Sequence, residues 1–199
     1  MFLKSWRMLT IMLVALSLGP ALGHLLELPA KMLYDGPLWL KISQTLYSTF
    51  GTVGAVFEVS AVVAAAFLAF LVRHRRPAFG WTMLGAFSVV ASHTAFWIWL
   101  APVNAIIAVA TTETLPADWV GLRYQWECTH AARAILQLIA LASLAFSVVI
   151  ETSANGTTST LQRTGLNSSL IHADGYVEQK TGTIVDSNKR LPSRNCGAY

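Results

Sequence analysis

The hydrophobic positions of this chain neither alternate nor recur every three or four residues; they fill long, nearly unbroken runs. Residues 8–28, 50–72, 80–100 and 125–150 each hold about 20 or more mostly apolar residues, the length an α-helix needs to cross the hydrocarbon of a bilayer. The pattern predicts an all-α, integral membrane four-helix bundle over residues 1–150. From 151 to 199 the text changes: Ser, Thr, Asn and Gly dominate, apolar residues are scattered and no period survives. Such a segment buries too little apolar surface to offset its own ordering, so a disordered C-terminal tail is expected there.

The polar punctuation predicts the rest of the layout. Residues 30–48 mix Lys31, Asp35, Gly36, Pro37 and Lys41 with Trp39 and Leu40, which suits an interfacial loop bearing a short amphipathic helix. Trp39 and Trp119 read as interface anchors, and Lys31 and Arg123 as side chains that snorkel to the surface. Pro20 is expected to kink the first helix, Pro29 to end it and Pro102 to weaken the third near its end. Pro116 and Asp118 offer a helix start before Trp119. Residues 1–23 also fit a signal peptide, because Ala21 and Gly23 make a small-residue cleavage pattern before His24; the uncleaved first span is the working reading.

Composition agrees with a membrane protein, with 54% hydrophobic and only 12% charged residues, about half the charge of a soluble domain. The formal charge is +4, and its placement matters more than its size. Lys4 and Arg7 precede the first span, and Arg73, Arg75 and Arg76 separate the second from the third, so the positive-inside rule puts both termini in the cytoplasm of a multi-pass protein of a bacterial inner membrane. No long basic face with interleaved aromatics is present, which excludes nucleic acid as a partner. Cys128 and Cys196 form no disulfide framework, and the sequons at Asn155 and Asn167 carry little weight.

Against this apolar background the polar residues inside the spans stand out. With about 100° between neighbours, Arg123, Trp126, His130, Arg133 and Gln137 fall in one arc of the fourth helix, with Glu127 about 60° from His130. His93, Trp97, Leu100 and Asn104 share an arc of the third. Glu58 is the one charge of the second span, on an arc with Gly51, Gly54, Ala61 and Ala65, small residues expected to let another helix approach closely. His24 and Glu27 lie near the end of the first. The predicted topology brings all of these to the outer half of the bundle, and costly intramembrane charges gathered in one place are a functional-site hypothesis.

Four chemistries fit such a cluster. A transition metal is one, with His24, Glu27, Glu58, His93, Glu127 and His130 as ligands, because His24-x-x-Glu27 and Glu127-x-x-His130 each put carboxylate and imidazole one turn apart. Haem on a pair drawn from His24, His93 and His130 is another. The third needs no cofactor: His93, His130, Glu127 and Glu58 do acid–base work on an aromatic or quinone-like molecule held among Trp97, Trp99 and Trp126. The fourth is purely structural, with Glu27 paired to Lys31 or Arg133, and Glu127 to Arg123 or His130. The residues alone leave these four open.

Three elements resemble a known family: His24-Leu-Leu-Glu-Leu-Pro-Ala-Lys31, Ala101-Pro-Val-Asn104, and Trp126-Glu-x-x-His130-x-x-Arg133. Their order is similar to that of the small four-span membrane proteins grouped with fungal anthrone oxygenases, over roughly residues 8–150. The resemblance implies a four-helix membrane bundle and, for the fungal members, cofactor-independent oxygenation of an anthrone to an anthraquinone. By motif it carries over Asn104, Trp126, His130 and Arg133. Together with the bundle argument, the expected catalytic set is His130, Arg133, Asn104, His93 and Glu127. Trp97, Trp126, Glu58, His24 and Glu27 are expected to contact a hydrophobic small molecule. The rival expectation is a non-catalytic subunit or small-solute carrier whose charge cluster is structural.

Overall fold

The computed structural model describes residues 1–151. The tail from 152 onward, with both sequons and Cys196, lies outside the described residues. Four long helices make up the fold: α1 (Phe2–Lys31), α3 (Tyr47–Leu71), α4 (Ala78–Val109) and α5 (Trp119–Glu151), with a short α2 (Gly36–Thr45) between α1 and α3. No strand occurs among the described residues. The four long helices are each apolar and long enough to cross a membrane, and the chain is accordingly an integral, multi-pass membrane protein. Leu9, Met12, Val56, Val63, Phe87, Ile135 and Leu138 are exposed on its outside, where lipid tails satisfy them.

The helices meet in a core of modest side chains. Val14 of α1, Ala61 and Leu68 of α3, Val89 of α4 and Ala140 and Leu144 of α5 form one buried cluster. Without a hydrophobic force between helices in lipid, close approach has to come from small residues. Gly85 is where this is tightest: a Cβ there would lie 2.8 Å from Cγ of Leu144 and 3.2 Å from the carbonyl of Ala140. Gly51 and Gly54 play a different part from the one expected. A Cβ on either meets nothing within 4 Å, so they bring no helix close; Ala61 and Ala65 of the same arc are the buried ones.

Local chemistry explains where the helices depart from the predicted layout. α1 does not stop at Pro29 but runs to Lys31, and Met32 N–H still reaches the carbonyl of Leu28 at 3.1 Å. One missing N–H two residues from a helix end is a small loss, and the 2.6 Å ion pair of Lys31 with Glu127 holds the last turn. In α2, the Asp35 side chain accepts from Leu38 N–H at 2.8 Å and Pro37 occupies the first turn. Trp39 is no headgroup anchor: it is 2% exposed and packs with Leu40 against Leu100, Val103, Ile107 and Trp126, so α2 caps one end of the bundle.

The effect of Pro102 falls one turn before the proline. Residues Phe96–Leu100 form a π turn, in which Ala101 N–H bonds to the carbonyl of Phe96. The wider turn gives room where the proline ring would press on the carbonyl four residues back. Gln125 of α5 donates to the carbonyl of Trp99 at 2.9 Å, tying α5 to this turn. The turn also re-phases α4, so that Leu100 is fully buried in the core while His93, Trp97 and Asn104 share a cavity wall. α5 starts at Trp119, just after Pro116 and Asp118. It ends on Glu151, whose carboxylate pairs with Arg7 and, at 2.8 Å, with Arg75. Glu151 therefore closes the bundle instead of opening the tail.

Candidate functional site

A buried ion pair, a hydroxyl and an amide meet at the centre of the site. Glu58, rising from α3, takes a 2.6 Å ion pair from Nη2 of Arg133 on α5, and both side chains are buried. Arg133 Nε also donates to the Ser92 carbonyl at 3.2 Å. Ser92 Oγ donates to Glu58 at 3.4 Å and accepts from Gln137 at 3.1 Å. The guanidinium lies 5.2 Å from the ring centre of Phe96. An isolated charge in this setting would cost several kcal/mol, so each is held by a partner and by neutral hydrogen bonds around it. His93 completes the edge: its Nδ1 is 3.9 Å from Glu58, and its Nε2 accepts from the Trp97 indole N–H at 3.1 Å.

A second node lies one to two turns nearer the α2 cap. Lys31, 2% exposed, reaches Glu127 at 2.6 Å and Nδ1 of His24 at 3.0 Å, with Glu27 at 3.9 Å. Its ammonium also sits 5.0 Å from the centre of the Tyr47 ring and 5.2 Å from that of Trp126. The Tyr47 hydroxyl donates to Glu27. His24 and His130 stack with centroids 3.9 Å apart and planes 18° apart, and Trp126 stands edge-on to both. Trp126 in turn donates through Nε1 to Asn104 Oδ1 at 2.8 Å.

Between the two nodes is a cavity of about 800 Å³. That volume lies within the roughly 300–1,000 Å³ common for small-molecule sites. Its lining is part polar, from Glu58, Arg133, Gln137 and His130, and part apolar, from Trp126, Phe96 and Ile107. The rim carries exposed Gly51, Thr52, Ala55 and Val59 of α3 on one side and exposed Trp97 and Ala108 of α4 on the other. Both lips belong to spanning helices, so the mouth opens sideways between α3 and α4.

His24, Glu58, His93, Trp97, Asn104, Trp126, His130 and Arg133 all line this cavity, whereas Glu27 and Glu127 do not. Glu127 is 1% exposed behind Trp126 and serves as counter-ion to Lys31, not to Arg123 or His130. Trp99 faces a separate shallow crevice with Cys128 on the outside of α4 and α5. Arg123 and Lys31 do not snorkel: Arg123 is buried and donates to the backbone carbonyls of Tyr34 and Lys31. Tyr47 and Ser92 were not expected at the site and leave no signal in the sequence. Lys31 was expected only to snorkel or to pair with Glu27; its nearer partner is Glu127.

The ligand set expected for a metal does not come together, and His24 with His130 does not make an axial pair for a haem. Among the described residues, no three or more His, Cys, Asp or Glu side chains are placed to hold a metal ion. Glu58 is engaged by Arg133, Glu127 by Lys31 and Glu27 by Tyr47. His24 and His130 lie face to face, too close to hold a porphyrin between them. The groups that line the cavity can do acid–base and hydrogen-bonding chemistry. His24 is bonded to Lys31 and His93 to Trp97, but no protein donor among the described residues reaches His130, whose Nδ1 is buried without a hydrogen-bond partner. Searches of protein-family models, curated proteins and solved structures find no match to the chain.

The Glu58–Arg133 pair gives a direct test of this electrostatic arrangement. Glu58→Gln is expected to lower stability by about 3–5 kcal/mol, because it strands a buried guanidinium. The double variant Glu58→Leu/Arg133→Met should recover most of the loss, as read by unfolding of the detergent-purified protein. A double variant no more stable than the single one would show that the two charges are not coupled.

Proposed function

We propose that the protein is a membrane oxidoreductase of the anthrone-oxygenase type, acting without a cofactor on a flat, hydrophobic aromatic taken from the bilayer. The observation that carries this reading is His130: an imidazole on the wall of an aromatic-lined cavity, with no protein donor claiming its nitrogens. A neutral imidazole is a suitable base for the acidic methylene of an anthrone. Asn104 accepts the Trp126 indole N–H with Oδ1, which leaves its amide N–H groups as donors for the oxygen that gains charge as the proton leaves. Trp97, Phe96 and Trp126 supply the flat apolar contacts. Arg133, held by Glu58, keeps positive charge near the resulting anion.

The overall reaction balances with dioxygen as the oxidant. The methylene carbon loses two hydrogens and becomes a carbonyl, one oxygen atom enters that carbonyl, and the other leaves with both hydrogens as water. The sideways mouth between α3 and α4 suits a substrate dissolved in lipid. Basic residues Lys4, Arg7, Arg73, Arg75 and Arg76 gather at the opposite end, which favours both termini in the cytoplasm of a bacterial inner membrane and the site in the outer half.

A second reading has its own support. Glu58–Arg133 and Lys31–Glu127 are both buried pairs of good geometry, as expected of a non-catalytic subunit or solute carrier whose charges fix helix register.

The two readings separate on His130. With an anthrone in lipid nanodiscs under oxygen, His130→Ala should slow anthraquinone formation by about 10²–10⁴-fold, the usual worth of a general base, while helicity and melting stay at the wild-type value. No turnover by the wild type, together with a large loss of stability in the variant, would favour the structural reading. For orientation, a fluorescent protein fused after Tyr199 should be bright, since it folds on the cytoplasmic side; a dark fusion at normal expression would place that end outside.

A further inference from the structure

Lys31 has no role in the acid–base scheme above, yet it is among the largest fully buried side chains of the protein. A lysine ammonium has three donors and no acceptor. Its nitrogen lies 2.6 Å from Glu127 and faces the rings of Tyr47 and Trp126 at 5.0 and 5.2 Å, groups that attract a cation. The remaining close partner is Nδ1 of His24, at 3.0 Å. Facing an ammonium, that nitrogen can only accept. A neutral imidazole that accepts at Nδ1 carries its proton on Nε2.

From this we infer that Lys31 is a positioning residue, which locks His24 in the Nε2–H form and so makes it a hydrogen-bond donor to the cavity beside His130. His24 lines the cavity, and its ring lies 3.9 Å from that of His130, nearly parallel to it. Two stacked imidazoles then have opposite tasks: His24 offers an N–H and His130 offers a lone pair. Glu127 supports the arrangement from behind by holding Lys31, and Glu27 stands at 3.9 Å on the other side. Asn104 and His24 present donors from different helices, so a substrate oxygen can be gripped while His130 takes a proton. This last consequence rests on the oxygenase reading; the tautomer of His24 does not.

The test needs neither substrate nor turnover. The full-length protein, labelled with ¹⁵N-histidine and reconstituted in lipid, is studied by solid-state NMR, with the His24 signals assigned by their disappearance in His24→Gln. The expected result is a single neutral form with Nδ1 bare and Nε2 protonated. Lys31→Met should abolish that single form, giving a mixture or the opposite tautomer, and Lys31→Arg should restore it. A proton on Nδ1 of His24 in the wild type, or a His24 spectrum unchanged in Lys31→Met, overturns the inference. Should Lys31→Met fail to fold, the wild-type spectrum alone still decides.

Discussion

A buried carboxylate opposite a buried guanidinium, Glu58 facing Arg133 at 2.6 Å, is the constraint on which this bundle depends. Neither charge is tolerable alone among apolar spans, and removing either leaves the other stranded at a cost of about 3–5 kcal/mol. The pair ties α3 to α5, and through the backbone and hydroxyl of Ser92 it also fixes α4. Three helices are therefore held in one register by groups that must meet. Because those groups are polar and hold one another in place, the space above them cannot simply collapse into an apolar core. The cavity is a consequence of how the charges are satisfied.

The other two ion-pair clusters divide the remaining work. Lys31 and Glu127 join α1 to α5 at the capped end, where α2 lays Trp39 and Leu40 over the helix termini. At the opposite end Glu151 receives Arg7 from α1 and Arg75 from the turn before α4. Between these clamps the packing is alanine, valine and leucine, close enough at Gly85 that no side chain fits. Toward α3 and α4, above Glu58, the helices leave room: Gly51 and Gly54 have open space where a side chain would be, and the π turn of α4 turns Trp97 to the rim. Small residues thus serve close packing in one place and an opening in another.

Much of this was legible in the sequence, for physical reasons that also explain the gaps. Long apolar runs identify the spans because length and hydropathy are properties of one helix at a time. The arc of Trp126, His130, Arg133 and Gln137 was readable for the same reason, and these four do share one wall. Pairings between helices were not. Glu127 has Arg123 and His130 near it in sequence, but its partner is Lys31, which comes from another helix and lies past a proline that predicts a helix end. Glu58 gave no hint of Arg133, and Ser92 looked like any small residue of a span. The π turn was foreshadowed only by Pro102, and the phase change it imposes separates Leu100, buried in the core, from His93, Trp97 and Asn104 of its expected arc.

If the polar node supports a cavity able to hold a flat aromatic between α3 and α4, such a molecule should bind there without turnover. The most direct test is titration of a hydroxyanthraquinone into the purified protein in lipid nanodiscs, followed by tryptophan fluorescence. Saturable, one-to-one quenching is expected, since Trp97 and Trp126 line the cavity. That quenching should be lost in Gly54→Phe, a substitution that adds a ring where nothing stands within 4 Å and leaves the packed core untouched. Quenching that never saturates in the wild type, or that is the same in a folded Gly54→Phe variant, would contradict the existence of such a site.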